Sequence, residues 1–117
     1  MLITGITGFV GSHLADYILA EHPDVEVSGT KRWRSPKINI RFIEDRITLY
    51  DCDLRDLSSL INVISLSKPD VVFHLAAQSY VQTSYSAPVD TMETNVVGTV
   101  NLFEAIRICK LDPIIHV

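Results

Sequence analysis

The sequence predicts an α/β fold, a doubly wound parallel sheet in a single domain spanning residues 1–117. Three observations predict it. Short apolar runs alternate with longer segments of helical period along the whole chain, as expected for strands joined by helical crossovers. Most of these runs lack polar alternation, which fits strands covered on both faces. A glycine-rich stretch also stands between the first apolar run and the first helical segment.

The first run, Met1–Thr4, leads through Gly5, Gly8 and Gly11 into a helical segment, Phe9–Glu21. That helix carries Val10, Leu14, Tyr17 and Ile18 on one stripe, and His22-Pro23 ends it, because the residue before a proline avoids the helical region. Val25–Gly29 reads as the second strand. Lys31–Arg46 reads as a loop with at most a short helical turn. Ile47–Cys52 is the third strand. Asp56–Ser65 follows with Leu57, Leu60, Ile61 and Ile64 at helical spacing and Asp56 as N-cap, and Lys68-Pro69 marks its end. Asp70–His74 is the fourth strand, and Gln78, Ser79, Tyr80 and Ser84 lie on the loop after it. The segment from Pro88 to about Lys110 starts with a proline suited to a first turn. It buries Met92, Val96, Val100, Phe103 and Ile106 or their neighbours. Pro113–Val117 is the fifth strand. Right-handed crossovers then give strand order 3-2-1-4-5.

Bulk properties narrow the partners. The formal charge is −4 and the pI is about 5.4, so no general electrostatic attraction to nucleic acid or to an anionic membrane exists. No apolar run reaches the roughly 20 residues that span a bilayer, and Met1-Leu-Ile-Thr-Gly lacks the basic start of a signal peptide. The expected location is the cytoplasm. Cys52 and Cys109 read as reduced thiols, and the four histidines lack metal-ligand spacing.

Four places suggest chemistry. Gly5-Ile6-Thr7-Gly8-Phe9-Val10-Gly11 sits at a strand–turn–helix junction. There a pyrophosphate can meet backbone amides at the positive end of a helix, provided that side chains stay out of the way. This makes the fold Rossmann-type. Twenty positions beyond Gly11 stands Lys31-Arg32-Trp33-Arg34-Ser35. No acid is available there for a ribose hydroxyl, and the cluster of bases suits the 2′-phosphate of NADP, with NAD the weaker expectation. Asp53 and Leu54 follow the third strand and offer an acceptor and an apolar surface to adenine. Leu75, Ala76, Ala77, Gln78 and Ser79 follow the fourth, where small side chains let a cofactor pass. Asn95 and Gly98 inside the last helix conflict with helix propensity and read as accommodation to neighbouring backbone.

Together, TGxxGxxG, the DL after the third strand, HLAA after the fourth and NVxGT in the last helix resemble the extended short-chain dehydrogenase/reductases. Within them, the strings at Ile3–Gly8, Lys31–Ser35, Asp51–Asp56 and Ala76–Ser79 are most similar to the GDP-mannose 4,6-dehydratases. The resemblance covers essentially the whole chain. It implies an NADP-dependent lyase that oxidises a nucleotide-sugar at C4, eliminates water across C5–C6 and returns the hydride to C6. It further implies a homo-oligomer when intact. The resemblance assigns Gly5, Thr7, Gly8, Phe9, Val10 and Gly11 to the pyrophosphate. Arg32, with Lys31, Arg34 or Ser35, falls on the 2′-phosphate, Asp53 and Leu54 on adenine, and Leu75–Ser79 on the nicotinamide half. The segment from Tyr80 to Tyr85 borders the sugar-nucleotide. The family's Ser or Thr, Glu and Tyr-x-x-x-Lys follow the fifth strand, and no tyrosine here has a lysine four residues on. The chain therefore reads as an N-terminal, cofactor-binding portion, inactive alone. A related epimerase or reductase and a non-catalytic NADP-binding module are the alternatives.

Overall fold

A computed structural model describes all residues, Met1–Val117. Five strands form one parallel sheet in the order β3-β2-β1-β4-β5, as the crossover pattern predicts. They are β1 (Leu2–Thr4), β2 (Ser28–Lys31), β3 (Thr48–Asp51), β4 (Val71–His74) and β5 (Ile114–His116). Alternation along β1 sends Leu2 to one face and Ile3 to the other. Leu2 joins Leu60, Val63, Ile64, Val72, Leu102 and Ala105 in one core. Ile3 joins Ile6, Ala15, Ile18, Leu19, Val27 and Ile40 in a second. The sheet is thus covered on both sides.

Helix α1 (Phe9–Glu21) has the predicted bounds, but its buried stripe is Gly11, Ser12, Ala15, Ile18 and Leu19. Val10 and Tyr17 face outward. Small residues win the inner face because α1 crosses close over the turn at Gly5. Helix α2 (Leu57–Ser67) buries Leu60, Val63 and Ile64, and the Asp56 carboxylate caps it by accepting the Ser58 amide at 3.0 Å. Such a cap contributes about 1 kcal/mol.

The structure corrects three further sequence expectations. Strand β2 begins three residues later than the expected Val25–Gly29, because its ladder begins where Ser28 pairs with Leu2. Its Ser-Gly-Thr-Lys sequence carries no hydrophobic signal. A Cβ on Gly29 would stand 2.5 Å from the Ile6 side chain, so a larger residue is excluded by packing. The segment after Tyr80 is a short helix, α3 (Val81–Ser86), rather than a loop. The long final helix is α4 (Pro88–Met92), a π-helical turn at Glu93–Val97 and α5 (Gly98–Ile108) in one run of helical dihedrals. It buries Gly98, Leu102, Ala105 and Ile106, while Met92, Val96, Val100 and Phe103 are exposed. The inserted π residue rotates the stripe.

Candidate cofactor site

A cleft of about 440 Å³ opens along the carboxyl ends of the strands, where open α/β sheets bind ligands. Its size falls within the usual range for small-molecule sites. Every residue the sequence assigned to the cofactor lines it except Arg34, whose guanidinium stacks on Trp33 at 4.8 Å.

The floor is built from glycines. Gly5 has φ +69°, and a Cβ there would lie 2.9 Å from the Ala76 Cα. At Gly11 a Cβ would lie 2.5 Å from the Gly5 carbonyl oxygen and 2.9 Å from the Ile6 Cα. The β1 turn, the start of α1 and the end of β4 therefore touch backbone to backbone. Gly8 is the N-cap of α1 and supplies no side-chain cap, in contrast to Asp56 on α2. The first amides of α1 have no intrahelical acceptors, and they meet the cleft at the positive end of the helix dipole. This cradle can hold an anion, and any side chain larger than hydrogen at Gly5 or Gly11 would force apart the backbones that form it.

The bases around the cleft are not equivalent. Lys31 belongs to β2, is nearly buried and gives its ammonium to Asp51. Arg55 bonds Asp53 at 2.8 Å and Asp90 of α4 at 3.0 Å. The Arg55 hydrogen bonds hold the Asp53 carboxyl below its usual range, with Arg32 adding a weaker pull. Arg32 alone among the cleft's bases pairs with no carboxylate. Its charge stays available beside Ser35 at the open end of β2.

Tyr80, expected beside the sugar-nucleotide, also lines the cleft. Arg55, Asp90, Thr94, Thr30 and Cys52 line it too, and sequence reasoning missed them. The available signal was the Arg between two acids in Asp53-Leu54-Arg55-Asp56, which suggests a local ion pair. Burial pushes the Cys52 thiol up, leaving it a poor nucleophile. No group of three or more His, Cys, Asp and Glu could hold a metal, and no helix is long and apolar enough to cross a membrane.

At the end of β4, His74 is buried, and desolvation lowers its imidazole from the ordinary 6.5. The unfolded chain then takes up a proton on this side chain at higher pH than the folded chain does. The contribution to stability is complete above about pH 6.5 and declines as pH falls below it. Urea unfolding at a series of pH values should show the midpoint dropping through that window. The His74→Gln variant should show less of this dependence.

The family model for GDP-mannose 4,6 dehydratase matches residues 2–117. The GDP-mannose 4,6 dehydratase of Drosophila melanogaster is 38% identical over 95% of this chain, which covers 30% of that protein. Among solved structures, UDP-glucose 4-epimerase of Thermus thermophilus in complex with NAD is 31% identical. It superposes with TM-score 0.82 over 95% of this chain and 34% of its own. The dTDP-glucose 4,6-dehydratase of Streptomyces venezuelae with NAD bound is 30% identical, with TM-score 0.82 over 94% of this chain and 36% of its own. The chain thus spans about a third of the length of each of these proteins. A glycine cradle at the β1–α1 junction, the order β3-β2-β1-β4-β5 and a family match over nearly every residue agree: the chain belongs to the GDP-mannose 4,6-dehydratase family.

Proposed function

We propose that these residues bind NADP and form the cofactor-binding portion of a sugar-nucleotide 4,6-dehydratase acting on GDP-mannose. The observation that carries the choice of NADP is Arg32 at the open end of β2, beside Ser35 and in no ion pair, the nearby Asp51 being held by Lys31 and Asp53 by Arg55. A guanidinium can grip a phosphate through two parallel hydrogen bonds. Arg32 and Ser35 take the 2′-phosphate, Lys31 being committed to Asp51 and Arg34 to Trp33. The amides at Gly8–Gly11 receive the pyrophosphate, Asp53 and Leu54 the adenine, and Leu75–Ser79 flank the nicotinamide. NADP held by these residues would supply a site for taking a hydride from the sugar and giving it back. This chain's residues orient the cofactor and, through Arg32 and the α1 amides, offset the charge of its phosphates. The reading places the general base outside these 117 residues, since none of their tyrosines precedes a lysine by four positions.

The NAD-bound epimerase among the similar structures favours a second reading, an epimerase or reductase using NAD. The exposed stripe of Val89, Met92, Val96 and Val100 supports a homo-oligomer for the intact protein, and the charge and hydropathy a cytoplasmic one. The test is to incubate the complete gene product that contains these residues with GDP-mannose. Formation of the 4-keto-6-deoxy sugar nucleotide is expected. Epimerised product without loss of water would favour the second reading. The 117-residue chain alone should bind cofactor and produce neither.

A further inference from the structure

The wall of the cleft from Leu75 to Tyr80 belongs to no strand or helix, and side chains hold its backbone instead. Thr4 Oγ1 accepts the Leu75 and Ala76 amides, both at 3.1 Å. Asn95, in the π-helical turn, holds Gln78 at two points: Oδ1 accepts its amide at 2.7 Å and Nδ2 donates to its carbonyl at 3.0 Å. The Gln78 carboxamide does the same for Tyr80, at 2.7 and 3.1 Å.

The two anchors, Thr4 and Asn95, are themselves joined through His74. Thr4 Oγ1 lies 2.8 Å from His74 Nδ1, and His74 Nε2 lies 3.0 Å from Thr99 Oγ1. Thr99 in turn donates to the Asn95 carbonyl at 2.6 Å. Counting donors assigns the protons. A hydroxyl has two lone pairs and one hydrogen. Both lone pairs of Thr4 are taken by amides, so its hydrogen goes to Nδ1. Nδ1 is therefore bare, and Nε2 carries the ring proton and donates to Thr99. Thr4 is wholly buried and His74 nearly so, which leaves no room for water to replace a missing partner.

We propose that His74, Thr99 and Asn95 are positioning residues of the cofactor site: they form a one-directional relay, with His74 as its neutral Nε2–H tautomer, that keeps Thr4 accepting from the Leu75–Ala76 backbone and holds Gln78 in place. The proposal rests on the reading of this cleft as a cofactor site. Asn95 and Thr99 stand four residues apart on one helix face, so both point to the same strand end, and the π-helical turn that carries Asn95 is of a kind that recurs at functional sites. Nothing in the relay touches the 2′-phosphate end, so it acts on NADP and NAD alike.

The test uses the 117-residue chain. Nitrogen-15 spectra of the histidine rings in the unaltered protein should show His74 with Nδ1 bare and Nε2 protonated. Thr99→Val keeps the shape and removes the relay hydroxyl. It should weaken NADPH and NADH binding equally, by about tenfold, as for a buried donor left without a partner. Thr99→Ser should return both to within about twofold. Amide exchange at Leu75 and Ala76 should quicken in the valine variant and recover in the serine variant. A ring protonated at Nδ1, or Thr99→Val binding at the unaltered affinity, would overturn the relay while leaving the cofactor site intact. Failure of the unaltered chain to bind either cofactor would instead overturn the reading beneath it. If Thr99→Val does not fold, the ring spectra and the serine variant still decide.

Discussion

Replacing Gly11 by alanine should abolish cofactor binding and lower stability by about 3 kcal/mol, the upper part of the range for overpacking. The added methyl would stand 2.5 Å from the Gly5 carbonyl oxygen and 2.9 Å from the Ile6 Cα. Both are backbone atoms that cannot swing aside. Gly5 cannot retreat easily, because it lies against the end of β4 at Ala76. The helix must therefore lift, taking its first amides away from the cradle. Gly8→Ala is the informative comparison. Its methyl would meet only the Gly5 carbonyl oxygen, at 3.2 Å, and its φ of −73° suits alanine. That variant should fold with a loss of about 1 kcal/mol or less. Urea unfolding read beside calorimetric titration with NADPH separates the two. Gly11→Ala at the unaltered stability would mean that α1 does not pack on the turn as described.

Arg32→Ala should weaken NADPH binding about thirtyfold and leave NADH within about twofold, the loss of a charge-assisted hydrogen bond of about 2 kcal/mol. The selectivity follows from the pairing pattern. Lys31 and Arg55 already face carboxylates, so only Arg32 keeps an unneutralised charge in the cleft. Arg34→Ala should change neither affinity by more than about twofold, since Arg34 stacks on exposed Trp33 outside the cleft. Titrations with both cofactors measure the ratio directly. An unchanged NADPH/NADH ratio in Arg32→Ala would place the 2′-phosphate elsewhere.

The parts of this structure legible in the sequence are those written locally. Helix α1 was readable at both ends because glycines precede it and His22-Pro23 follows it. The cap of α2 was readable because Asp56 stands just before an apolar periodic segment. Strand β2 was not, because Ser28-Gly29-Thr30-Lys31 carries no apolar run, Gly29 being required where the strand packs against Ile6. In the last helix the apolar stripe pointed the wrong way, since Val96 and Val100 are exposed and one extra residue per turn at Glu93–Val97 shifts the phase. Asp90 and Thr94 of the last helical run enter the cleft over distance, as do the side-chain pairs that hold its walls. Arg55 reaches Asp90 across 35 positions, and Thr4 reaches His74 across 70. No window of sequence contains such a pair. The glycine cradle was legible because its three glycines are close in sequence, even though the reason for Gly5 lies partly in Ala76.

Calorimetric titration of the unaltered chain with NADPH and, separately, with NADH shows whether the cleft is an NADP site. Saturable binding of one equivalent of NADPH is expected, with NADH at least about tenfold weaker, as one extra charge-assisted phosphate contact requires. Equal affinities would contradict the role of Arg32 and favour NAD. Binding of neither would contradict the site itself.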